Sequence, residues 1–143
     1  MDIWRRESAL ARTTAAWGLA SVGAGLVTAA RTQDPWWRSF AHQTAGWGAV
    51  DLGIAALGTR LQDRRMRRLS DAYAPAAQEA ERVTLRRVLL VNTAADVGYV
   101  ALGVVLARDS RPRVAGAGVA IVIQGSFLLV HDSLHAIGAR PTV

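Results

Sequence analysis

Four long apolar stretches, at about 13–30, 40–59, 88–107 and 114–136, are separated by short polar segments along the chain. Each approaches the roughly 20 residues that a helix needs to cross about 30 Å of hydrocarbon. The pattern predicts an all-α integral membrane protein, a single transmembrane domain built as an antiparallel four-helix bundle. The second stretch is the least apolar, because it contains His42, Gln43, Thr44 and Asp51. Each stretch has one polar residue near its middle: Ser21, Asp51, Asp96 and Gln124. An acid at mid-span costs roughly 2.5–3.5 kcal/mol on insertion scales, so both Asp residues should face the bundle interior.

The polar segments carry turn and start signals. Asp34-Pro35 and Asp109-Ser110-Arg111-Pro112 mark two short turns. Pro75 predicts a helix start that runs through Glu79 and Glu81 into the third span. The rest of 60–87 reads as an arginine-rich cytoplasmic loop. Asp51-Leu-Gly-Ile-Ala-Ala-Leu-Gly58 and Asp96-Val-Gly-Tyr-Val-Ala-Leu-Gly103 share one pattern. Inverted repeats would produce it, and so would helices filled from the same few residue types.

Composition narrows the picture further. The net charge is +6, and all 17 basic residues are Arg. With four spans, twelve of the 17 fall beside the two termini and the middle segment, and five on the other side. The positive-inside rule then puts both termini in the cytoplasm of a cell whose inner membrane holds the protein. Trp36 and Trp37 fit the opposite interface, and Trp4 the cytoplasmic one. The run from Arg60 to Arg68 suits topology and anionic lipid headgroups. It lacks the interleaved aromatic residues and the module expected of a nucleic-acid binder. With no Cys, disulfides, thiolate metal sites and cysteine nucleophiles are excluded. Small residues such as Gly18, Gly23, Gly46, Gly98 and Gly116 permit tight crossings, a homodimer or contact with a membrane partner subunit.

The candidate site lies at mid-span. Asn92 and Tyr99 stand four residues before and three after Asp96, which places them on its helical face. With Asp51, Gln124, His42, Gln43 and Asp132 they form a candidate ligand-binding set. His131 and His135 share a face and could contact a metal, but two ligands are too few for a site. No Ser-His-Asp order, phosphate loop or dinucleotide fingerprint appears, so the sequence implies no cofactor and argues against an enzyme. It suggests a polar midplane site that binds or moves a small ligand, an ion or a proton. The alternative is an accessory subunit whose polar residues only fix helix packing.

Three strings add a family resemblance: Phe40-Ala-His42-Gln43-Thr-Ala-Gly46-Trp47, Asn92-Thr-Ala-Ala-Asp96-Val-Gly98-Tyr99, and Gln124-Gly125-Ser-Phe127-Leu-Leu-Val-His131-Asp132. Together they resemble a family of small bacterial four-helix membrane proteins classed as a domain of unknown function. The resemblance implies four spans in this order and no established activity. That family usually has Asn where this chain has Asp51, and Phe where it has His131. The resemblance therefore favours His42, Gln43, Asn92, Asp96, Tyr99, Gln124 and Asp132 as the shared polar framework.

Overall fold

A computed structural model describes residues 2–140 and contains four helices and no strand among them. They are α1 (Ile3–Arg31), α2 (Pro35–Arg68), α3 (Pro75–Ala107) and α4 (Pro112–Gly138). The helices begin where the chain supplies caps. The Asp2 side chain accepts from the Arg5 amide at 2.8 Å, and Asp34 accepts from the Trp36 and Trp37 amides. Pro35, Pro75 and Pro112 each occupy the first helical position, where a missing N–H costs nothing. In the last connection Arg111 grips Asp109 with two guanidinium nitrogens, at 3.0 and 2.9 Å. Those hydrogen bonds, together with one from the Arg111 amide, hold the Asp109 carboxyl down to about 2.

The expected loop over 60–87 is a correction. Residues 60–68 continue α2, and α3 begins at Pro75, which leaves 69–74 as the connection. Arg, Leu, Gln and Met are good helix formers. Arg65, Arg67 and Arg68 also lie in the last turn, where cations complement the helix dipole.

Packing rests on small residues. A Cβ on Gly18 would lie 2.7 Å from the Gly48 carbonyl oxygen, and one on Gly48 would lie 2.6 Å from that of Gly18. Further along, Gly25 of α1 meets Ala41 of α2, so the contacts descend α2 as they ascend α1. On the other side Gly118 meets Ala107 and Gly125 meets Val100, joining α4 to α3 in the same manner. Gly116 against Trp36 seats α4 on α2. Helix α3 packs mainly on α4. It accordingly buries only the stripe Leu89, Asp96 and Gly103.

Polarity is distributed inside out. The buried set includes Thr14, Ser21, Asp51, Gln62, Asp96, Gln124, His131 and Asp132, whereas Leu19, Leu26, Val91, Val105, Val130 and Leu134 are exposed. Helices α1, α3 and α4 are long and apolar enough to cross a membrane; α2 does not reach that apolarity.

Gly48→Leu should cost roughly 1–3 kcal/mol, because a side chain there drives into the α1 backbone. Gly53→Leu should be nearly silent, since a Cβ at Gly53 meets nothing within 4 Å. Unfolding of the two purified variants in one detergent checks the contrast.

Candidate functional site

The interior contains two polar groupings. The first is centred on Gln124, which is 1% exposed. Its carbonyl oxygen accepts from the Trp17 indole at 2.6 Å, and its amide nitrogen donates to the Ser21 hydroxyl at 3.0 Å. Both partners lie on α1, one turn apart on the face that meets α4. The Trp17 ring stacks on Phe127 at 4.1 Å, and Phe127 stacks on His131 at 5.3 Å. His135 follows at 4.6 Å. An aromatic column thus descends α4 from the Gln124 level to the second grouping.

That second grouping is acidic. His131 and Asp132 meet through Nδ1 and Oδ1 at 3.1 Å. Asp51 of α2 lies within the electrostatic reach of both His131 and Asp132. Asp96 of α3 is likewise within reach of Asp132. Asp132 is thus the electrostatic neighbour that the acids of α2 and α3 share. Asp51 is 1% exposed and neither of its oxygens has a hydrogen-bond partner. Asp96 has one such buried oxygen, and His131 Nε2 is also buried without a partner. A buried ionised carboxylate without compensation is strongly disfavoured, so this region favours any cation or proton that reaches it.

The expected residues separate into these groupings and a periphery. Asp51 and Asp96 are each electrostatic neighbours of Asp132, which touches His131. Gln124 pairs with α1, so Asp96 is not its partner. Tyr99 packs edge-on against Trp47 at 4.9 Å, and its hydroxyl is buried without a hydrogen-bond partner. Asn92 is exposed although it stands one turn before Asp96. A helix with one principal neighbour buries too narrow a stripe to include it. His42 is also exposed, on a 610 Å³ cavity lined by Arg38, Gln43 and Arg113. His131 and His135 adjoin, but no group of three or more His, Cys, Asp or Glu among the described residues could hold a metal ion.

Trp17 was not among the expected site residues. The available signal was that Trp17, like Gln124, lies within an apolar span, where a buried amide needs a partner. Gln62 is a second case: it is buried, and its amide nitrogen donates to the Trp4 carbonyl at 2.8 Å.

The profile of a family of unknown function (DUF6992) matches residues 13–133. Neither a curated protein nor a solved structure matches the chain.

Gln124→Leu should cost about 1–3 kcal/mol, because it strands the Trp17 indole and Ser21 hydroxyl together. Ser21→Ala, which leaves the indole bond intact, should cost less. Thermal unfolding of both variants checks the order.

Proposed function

For a chain that belongs to a family of unknown function (DUF6992), and so inherits no activity from it, we propose a membrane protein whose interior site binds or passes a proton. One observation carries this reading: Asp51 and Asp96 each lie within electrostatic reach of Asp132, Asp51 also of His131, and neither Asp51 oxygen has a hydrogen-bond partner. In a membrane interior such acids are expensive and commonly mark ion or proton pathways. Asp132 is the acid within electrostatic reach of both Asp51 and Asp96, so a proton held by either would pass by way of Asp132. Asp132 also orients the imidazole through Nδ1.

The membrane setting is part of the proposal. All four helices cross the bilayer as an antiparallel bundle, α2 included. Its outward residues Val50, Ile54, Leu57 and Leu61 are exposed and apolar, while its polar Asp51 is turned inward. Arginine placement puts both termini in the cytoplasm, and bacterial inner membrane is the location that fits. The last turns of α2, from Arg60 to Arg68, then meet anionic headgroups.

A second reading, that the polar core serves packing alone in an accessory subunit, is favoured by one feature. The Gln124 amide is satisfied from both ends by Trp17 and Ser21, as a structural bond would be. The acidic grouping, with its unpartnered oxygens, distinguishes the two readings.

In proteoliposomes containing a pH-sensitive dye, Asp96→Asn should reduce proton uptake to the level of protein-free vesicles. The variant should retain its helical content. Unchanged uptake with only a lower unfolding temperature would favour the packing role.

A further inference from the structure

A second site lies away from the acidic centre. At the end of the bundle that carries the N-terminus, α1, α2 and α3 leave a 350 Å³ cleft between them. Its walls are mostly aliphatic and include Leu10, Ile54, Leu85 and Val88. Its mouth is charged, with one group from each helix. Arg65 of α2 reaches Glu7 of α1 at 2.7 Å and Glu81 of α3 at 3.1 Å. From Glu7 to Thr14, the furthest lining residue on α1, the cleft follows seven helical positions, or about 10 Å.

We propose that this cleft binds a hydrophobic monoamine, with the ammonium held between Glu7 and Glu81 and the alkyl chain along the aliphatic walls. The charge balance selects the sign. Two carboxylates face one guanidinium, so the mouth retains one uncompensated negative charge after Arg65 is counted. The Glu7 side chain is only 10% exposed, so its remaining acceptor capacity is poorly served by water. The adjoining Arg82 is engaged by Glu79 at 3.4 Å. The shape also suits an amphiphile, because the charge is confined to one end of an otherwise apolar trough about as long as an octyl chain.

Glu7 adds a pH signature. Burial pushes its carboxyl above the usual range, with the Glu81 charge acting in the same direction and Arg65 opposing. A carboxyl with a raised value loses its charge early as the pH falls, and amine binding should weaken with it.

The cleft can be closed without disturbing the fold. Gly58 lines it, and a Cβ at Gly58 meets nothing within 4 Å. Gly58→Phe therefore fills the trough, and Glu7→Gln removes the buried carboxylate. The test titrates the purified full chain in maltoside micelles with octylammonium, octanol and octyl sulfate, each followed by calorimetry. Octylammonium should bind about tenfold or more tightly than octanol, the worth of one charge-assisted hydrogen bond. Glu7→Gln should erase that preference, Gly58→Phe should abolish saturable binding, and acidification should weaken the wild type. Equal binding of amine and alcohol would overturn the proposal and leave the cleft to lipid chains. Tighter binding of octyl sulfate, or an undiminished amine signal in Gly58→Phe, would also overturn it. None of these readouts involves Asp96, so failure here leaves the acidic centre untouched.

Discussion

The close approach of α1 and α2 at Gly18 and Gly48 is the contact on which the interior depends. Each glycine faces the other's backbone carbonyl at a distance that admits no side chain. The same contact positions the polar residues beside it: a Cβ on Gly18 would touch that of Asp51, and one on Gly48 would touch that of Ser21. Two helix backbones pressed together therefore deliver one group to each interior cluster. Ser21 goes to the Gln124 amide, and Asp51 goes to the acidic region beside His131 and Asp132. In a lipid environment, where no hydrophobic force drives helices together, backbone proximity and interior polar bonds must supply the cohesion.

The two clusters differ in their chemistry, and the difference gives each a role. Around Gln124, donors and acceptors match, with the indole N–H on the carbonyl and the amide on a hydroxyl. That is a closed account and suits a structural bond. Around Asp51 it stays open, since buried carboxylate oxygens on two helices have no donor. Asp132 of α4 is the shared neighbour of the acids on α2 and α3, and the Trp17–Phe127–His131 stack connects this region to the closed cluster.

Much of the fold was legible in the residues, and the departures share one cause. Long apolar stretches marked four helices and Pro75 the start of one, while Pro35 and Pro112, read as turn residues, start two more. Charge misled at 60–68, where arginines read as loop but prolong α2. Local helix propensity and the dipole outweigh their polarity there. The site was legible as a set of polar depths and not as partnerships. Depth on a helix places Asp51, Asp96 and Gln124 at comparable levels, but which of them meet depends on helix rotation. Asn92 shows the same limit, because sharing a face with Asp96 did not bury it against a single-neighbour helix.

The amino-acid sequence alone determined four helices, the start of α3 at Pro75, the membrane-like apolarity of three of them and the expense of acids at mid-span. Those properties are local, set by side-chain chemistry and by hydrogen bonds within one turn. Tertiary structure decided that Gln124 bonds to Trp17 and Ser21, that Asp132 and His131 join Asp51 and Asp96, and that Arg65 joins Glu7 to Glu81 over an apolar cleft. Each of these links residues far apart in the chain. The rotation and spacing that bring them together follow from where glycines let helix backbones touch, which no single helix encodes by itself.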